Sequence, residues 1–551
     1  MKKFTNKNWP YILIFVLSLL VSWPLLKSGY FSHQDDLQVI RIFEMRKCFI
    51  DMQIPCRWVP DMGWGNGMPL FNFYGVFPYY LGAVISFITG YIFAAKTLFY
   101  LTLTVGSIGI YLLVKNLWGR LAGTTSAVLY MFAPYKTLDV YVRGALSESL
   151  ALAIIPFVFY LVYKVIISPE KKKYGLWFTL SLFIFLITHN IMTLIFLPVL
   201  AGWIVYWLLV NKWQGFRSVL VFGLLGVGLS AFFILPAFLE KNLIQTESLT
   251  RFELDYKANF VKLSQLFTDR SWGYGTSIPG PLGGMSFQIG WPHWFLVVIS
   301  ALFIFMPKVN RKTKILVAAI IGAFLLSIFM THNKSTFIWV RVSLLKYFQF
   351  PWRFLSLSIF TASILGGFVT SVVKEKWRFY VCAAIIIVTI ILNWSYFKPK
   401  EFYVVTDAEK LSGNLWDLQR RGALLDYLPT TALEPREAAP DRPLVISGTA
   451  ETTNFINRSN NWEFTVDVKD NAEIEIPVYY FPDWRVKVDG KEYPFSHNNT
   501  IGRISVSLPP GNYQVMGNFK NTPLRSAANI ITAISAIGLL GVIKWKKPEN
   551  F

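Results

Sequence analysis

The sequence predicts a polytopic α-helical membrane protein with a β-sandwich-like domain near its C-terminus and a last transmembrane helix behind it. Three observations predict this. Of the 551 residues, 54% are hydrophobic, 17% aromatic and only 15% charged, an apolar excess that no water-soluble core requires. Thirteen apolar stretches approach the roughly 20 residues needed to cross a hydrocarbon core of about 30 Å. Between residues 396 and 523 such stretches stop, and apolar and polar residues alternate with the period of two expected of half-buried strands.

Residues 1–395 form the expected membrane core. Its apolar stretches lie near 9–27, 77–95, 97–114, 119–134, 145–167, 174–189, 191–210, 216–238, 293–307, 315–331, 353–373 and 377–395. The thirteenth, near 525–543, belongs to a final segment, 524–551, that ends in a basic tail, so about 11–13 spans are expected in all. Lys2, Lys3 and Lys7 precede the first stretch, which keeps the N-terminus cytoplasmic and sends residues 28–76 to the far side. A secretory signal peptide is the alternative reading of that stretch, but no small-x-small cleavage site follows it.

The net charge of +21 resembles a nucleic-acid signal until the positions are inspected. Lys171–Lys173, Lys308, Arg311, Lys312, Lys314, Lys374, Lys376, Arg378, Lys544, Lys546 and Lys547 all sit in short loops or tails beside apolar stretches. They read as anchors facing anionic membrane lipid, with both termini cytoplasmic and no nucleic-acid partner. With Lys171–Lys173 inside, residues 135–144 lie outside, and stretch 77–95 then enters from the wrong side. Either 77–95 or 119–134 is therefore expected to be re-entrant or interfacial, not a full crossing.

That topology gathers the polar residues of the core on one surface. Asp35 and Asp36 stand side by side about ten residues beyond the first stretch, where charges must be hydrated, paired or used. The outer loop 28–76 continues through Arg41, Glu44, Arg57 and Trp58 into a run with glycines at 63, 65 and 67 and prolines at 55, 60 and 69. Its aromatic residues, Trp58 to Tyr74, suit either a platform for a sugar or isoprenoid chain or an aromatic belt. Cys48 and Cys56 in the same loop form either a disulfide or two free thiols, and the three cysteines have no metal-binding spacing.

Arg143 and Glu148 lie five residues apart and either pair with each other or meet a lipid phosphate and an acceptor. His189 and Asn190 interrupt a long apolar run, marking a junction between spans or a contact to substrate. The loop 239–291 holds Glu247, Glu253, Asp255, Asp269 and Arg270 and ends in a glycine-rich run expected to be a lid. Arg353 sits at a membrane edge, where it either snorkels or binds phosphate. In 396–523, strands are expected at Trp462–Val468, Ala472–Pro477 and Trp484–Asp489, with turns at Asp489-Gly490 and Pro509–Asn512.

The segments His33–Leu37, Ile54–Gly75, Tyr141–Glu148, Thr188–Asn190 and Phe350–Phe354 resemble bacterial integral membrane proteins filed as 6-pyruvoyl-tetrahydropterin synthase-related, a name that implies no pterin chemistry. Tyr479–Phe495 and Leu508–Val515 look like the C-terminal β domain of the related YfhO-like proteins. Both groups look like GT-C glycosyltransferases, multi-span enzymes that take a sugar from a polyprenyl-phosphate carrier on the extracytoplasmic face. The resemblance implies a GT-C-like core, an envelope glycan, lipid or protein acceptor, and a catalytic base at Asp35 or Asp36. His33, Arg57, Trp58, Arg143, Glu148, His189 and Arg353 are the expected substrate contacts. The two acids are adjacent and not spaced as Asp-x-Asp, which leaves open both the identity of the base and the need for a divalent metal. A transporter is the first competing class, but no internal repeat is visible and the acids lie in loops. A non-catalytic envelope scaffold, with a glycan-binding β domain, is the second.

Overall fold

A computed structural model describes residues 2–251, 254–277, 284–422 and 426–544, with backbone alone for 2–7 and 249. The side chains of Lys2, Lys3 and Lys7, Glu253, the lid residues 278–283 and the tail residues Lys546 and Lys547 lie outside this description. Among the described residues, seven helices are long and apolar enough to cross a membrane: Tyr91–Trp118, Leu146–Ile167, Asn190–Val210, Arg311–Thr331, Pro351–Val372, Glu375–Tyr396 and Pro523–Lys544. An eighth candidate is the pair Phe216–Leu229 and Ala231–Leu239, bent by 68°. The chain is thus a mostly helical, multi-pass membrane protein with a β-rich region before its last apolar helix.

Several expected stretches are shorter or differently divided. Stretches 77–95 and 97–114 become a 13-residue helix, Phe77–Thr89, and a 28-residue helix, Tyr91–Trp118. The break is local chemistry: Gly90 takes a φ of 88°, and both oxygens of Asp407 cap the second helix, accepting from Tyr91 N at 2.7 Å and Ile92 N at 2.9 Å. Thirteen residues rise only about 20 Å, short of the thickness of a hydrocarbon core. Stretch 119–134 is likewise reduced to Arg120–Met131, and Asn8–Val21 and Trp291–Phe303 are also short.

The strands are β1 (Tyr30–Phe31), β2 (Phe402–Tyr403), β3 (Leu444–Ser447), β4 (Ala450–Asn457), β5 (Asn461–Val468), β6 (Ala472–Tyr479), β7 (Trp484–Val488), β8 (Lys491–Glu492), β9 (Arg503–Leu508) and β10 (Gly511–Phe519). Five form one antiparallel sheet in the order β4-β5-β10-β7-β8, and β3-β6-β9 form a second. Alternate residues of β5, Trp462, Phe464, Val466 and Val468, are buried, as the period of two dictates. Asp489 and Gly490, with φ of 49° and 79°, make the β7–β8 turn, matching the demand of a two-residue hairpin for positive φ.

The β-rich region is fastened to the outer loop and to the last helix. β1 pairs with β2, setting Tyr30 opposite Tyr403. Cys48 and Cys56 are disulfide-bonded, with Cα atoms 5.6 Å apart. Trp58, fully buried, meets the rings of Phe481, Trp484 and Phe519 at 6.2, 5.6 and 5.7 Å. Arg57 donates to Asn72, Asn521 and Asn529. The buried Arg525 of the last helix donates to Glu240 at 2.7 Å, and Thr522 donates to the other Glu240 oxygen at 2.6 Å.

Trp58 is therefore the joint between loop and β region. Trp58→Ala is expected to cost about 3–5 kcal/mol, the usual effect of removing a buried large aromatic ring. Thermal unfolding of the full chain in detergent, followed by circular dichroism, measures it. A Tm within about 1 °C of the parent would contradict the packing role.

Candidate active site

A cavity of about 830 Å³ opens between the outer loop, the helical core and the segment that follows Phe402. Asp35, Asp36, Arg143, Glu148, His189 and Arg353 all line it. His33, Arg57 and Trp58 do not: His33 is buried behind Asp36, Trp58 packs against the β region, and Arg57 is bonded to Asn72, Asn521 and Asn529. The structure thus does not bring Arg57 and Trp58, expected as substrate contacts, to this cavity. Most of their partners, such as Phe481, Trp484, Phe519, Asn521 and Asn529, are remote in sequence, which no local pattern reveals.

The Asp35–Asp36 turn is built on the backbone of residues 142–144. Gln34 N and Asp35 N donate to the carbonyls of Val142 and Arg143, each at 2.9 Å, and Gln38 Nε2 donates to Gly144 O at 2.9 Å. Asp35 Oδ2 accepts from Arg41 at 2.8 Å and from Gln38 at 3.1 Å. Arg41 is itself buried, with its guanidinium 4.4 Å from the Tyr74 ring centroid. Asp36 Oδ2 accepts from Lys410 at 2.5 Å. Asp36 Oδ1 lies 3.8 Å from His33 Nε2, and both atoms are buried without a hydrogen-bond partner. The other His33 nitrogen, Nδ1, lies 2.9 Å from Phe31 O, and burial lowers the pKa of the imidazole against the opposing pull of Asp36.

In the same cavity, Glu148 is the centre of a cationic cluster. Its Oε2 lies 3.0 Å from Arg143 and 3.2 Å from Arg353 Nε, and its Oε1 accepts from Tyr135 at 2.6 Å. Arg143 also pairs with Asp139 and sits 4.5 Å from the Trp352 ring, while Arg353 donates to Phe348 O and Gln349. The two sequence readings of Arg143 therefore coexist: it pairs with Glu148 and lines the cavity. His189 Nδ1 accepts from Met192 N at 3.2 Å and caps the helix Asn190–Val210. That bond fixes Nδ1 as an acceptor and leaves the proton on Nε2.

Sequence reasoning missed four contributors to the cavity. Lys410 is 1% exposed and comes from a region read as a separate domain; the capping box of Thr406 and Glu409 that positions it was a visible signal. Lys241, exposed at the rim, has no carboxylate partner among the described residues. Asp426 and Tyr427 close the side nearest Arg41. Burial pushes Asp426 up to about 6, with Arg41 opposing and the Asp35 carboxylate adding to the rise. The folded state then binds this proton more tightly than the unfolded chain, so the group lowers stability as pH rises from 3.8 to about 6. Asp426→Asn is expected to flatten that part of the Tm-against-pH curve, and an unchanged slope would argue against the buried carboxyl.

Among the described residues no group of three His, Cys, Asp or Glu is placed to hold a divalent metal. Asp35 and Asp36 each already face a buried cation, which a metal would have to displace.

Comparison with known proteins adds a family and several loose likenesses. An uncharacterized protein of Lactococcus lactis subsp. cremoris is 24% identical over 241 residues, which cover 41% of this chain and 39% of that protein. Arabinofuranosyltransferase AftD from Mycobacteria superposes with a TM-score of 0.46 at 15% identity, over 72% of this chain and 28% of AftD. The oligosaccharyltransferase AglB of Archaeoglobus fulgidus gives 0.42 at 14%, over 71% and 55%. ArnT of Cupriavidus metallidurans, solved with undecaprenyl phosphate, gives 0.42 at 13%, over 69% and 63%. The chain thus spans less than two thirds of each of these proteins, and likeness at this level transfers no activity to it. Residues 71–399, more than half of the chain, match the family described as 6-pyruvoyl-tetrahydropterin synthase related domain, membrane protein, and the chain belongs to that family.

Proposed function

We propose that this protein is a membrane glycosyltransferase that moves a sugar from a polyprenyl-phosphate donor to a hydroxyl of an envelope glycan, lipid or protein on the extracytoplasmic face. The observation that carries the reading is that one cavity is lined both by partly exposed carboxylates and by guanidiniums. The carboxylates Asp35 and Asp36 are about one-third exposed, and the guanidiniums of Arg143 and Arg353 line the same cavity. An acceptor hydroxyl needs a proton acceptor, and a departing lipid phosphate needs fixed positive charge. Lys241 supplies a cation at the rim beside Phe238, Leu344 and Tyr347, apolar neighbours suited to an isoprenoid chain.

In this reading, one of the two adjacent acids takes the proton of the acceptor hydroxyl while its oxygen attacks the anomeric carbon. The bond from that carbon to the phosphate oxygen breaks, and the phosphate leaves as an anion held by Arg143, Arg353 and Lys241. Glu148 keeps both guanidiniums oriented while withdrawing part of their charge.

The test uses the full chain in vesicles with a panel of undecaprenyl-phosphate-linked hexoses and pentoses and measures released undecaprenyl phosphate. Asp35→Asn with Asp36→Asn together is expected to lower release about 10²- to 10⁴-fold, the usual worth of a general base. Full release by the double variant would overturn the reading.

A further inference from the structure

The two adjacent acids are chemically similar but differently engaged, and the difference divides their roles. Resting on the glycosyl-transfer reading, we infer that Asp35 is the proton acceptor and that Asp36 with Lys410 is a positioning pair, drawing the segment Phe402–Gln419 over the cavity. A proton acceptor must offer a lone pair to a hydroxyl within about 2.6–3.2 Å. Asp35 does so: its Oδ2 holds Arg41 and Gln38, while its Oδ1 has no partner among the described residues and is not among the atoms closed off from the cavity. Asp36 is more fully engaged: Oδ2 accepts from Lys410 at 2.5 Å and lies 3.5 Å from the Tyr403 hydroxyl, and Oδ1 is buried against His33.

The Asp36 side of the turn is instead built as a joint. Lys410 Nζ also donates to Tyr403 at 3.1 Å and lies 5.5 and 5.6 Å from the rings of Tyr30 and Tyr403, the residues paired across β1 and β2. Asp407, one turn earlier, caps the helix Tyr91–Trp118. Gln419 Nε2 donates to Lys410 O at 2.7 Å, so the helix Gly413–Arg421, whose Leu415 and Leu418 line the cavity, hangs from the same point. An ammonium that is 1% exposed needs its carboxylate. Losing that contact releases the wall of the cavity as well as one charge.

The pair predicts a pattern that a second base would not give. With undecaprenyl phosphate release as readout, Asp35→Asn is expected to lose at least 100-fold in kcat while undecaprenyl phosphate itself still binds, as measured by native mass spectrometry. Asp36→Asn and Lys410→Met are each expected to lose roughly 10- to 100-fold, through displaced geometry. Lys410→Arg is expected to recover most of that loss, and the charge-swapped double variant Asp36→Lys with Lys410→Asp to exceed either of its single variants. If Asp36→Asn is as inactive as Asp35→Asn and the swap recovers nothing, Asp36 is the base and the inference fails. If Asp35→Asn retains release while the wild type is active, the inference alone fails. If the wild type releases nothing from any donor, the glycosyl-transfer reading fails and the proton-acceptor assignment with it. The joint itself is then read from a double-mutant cycle on Tm, where additive Asp36→Asn and Lys410→Met effects would refute it.

Discussion

Glu148→Ala is expected to destabilise the folded protein by about 3–5 kcal/mol, the cost of removing one partner from a buried charge pair. Glu148 is 1% exposed and faces two guanidiniums, at 3.0 and 3.2 Å, that are themselves about nine-tenths buried. Without it, Arg143 keeps only Asp139, and Arg353 keeps only neutral acceptors on Phe348 and Gln349. Glu148→Gln separates charge from shape: an amide can still accept from Tyr135 but neutralises neither arginine. Thermal unfolding of both variants in detergent, with and without undecaprenyl phosphate, measures the effect. If the arginines bind phosphate as proposed, the added lipid recovers part of the lost Tm. A loss below about 1 kcal/mol would show that the cluster is hydrated and the site wrongly drawn.

The second large effect is expected at Gly144. Its φ of +64° belongs to the left-handed region, where a Cβ costs roughly 1–2 kcal/mol. A Cβ there would also overlap the His33 ring, which is enclosed by Tyr30, Phe31 and Phe99 and has no free space to enter. Gly144→Ala therefore displaces the turn that carries Asp35 and Asp36. Undecaprenyl phosphate release is expected to fall about 100-fold or more, since an ångström of misplacement is enough for that, together with a lower Tm. His33→Ala in the same chain makes room for the methyl group and is expected to return part of the Tm. A Gly144→Ala protein with full release would contradict the close contact.

The strands were the most legible part of the chain. β5, β6 and β7 fall where a period of two appears, because each half-buried strand needs one apolar face whatever its partner. The membrane character was equally plain, since apolar length is a local property. Helix division was less so: Gly90 is visible in the sequence, but the Asp407 carboxylate that completes the break comes from 316 residues away. The same distinction separates the site residues. Arg143 and Glu148 pair within one short segment, one of the two alternatives their spacing offered, whereas Arg353 joins them across 205 residues.

By itself the sequence determined a multi-pass helical chain with a β-rich region and placed two acids just beyond the first apolar stretch. These follow from composition, periodicity and spacing, which act over a few residues. Only the tertiary structure decided which aromatic residues are walls and which are core, burying Trp58 against Phe481, Trp484 and Phe519 while leaving Trp352 beside Arg143 in the cavity. It also decided how the twin acids differ, by bringing Arg41 to Asp35 from six residues away and Lys410 to Asp36 from 374. The physical reason is common to both. Burial and charge pairing depend on what arrives through space, and two adjacent carboxylates of identical chemistry acquire different free lone pairs only from their distant partners.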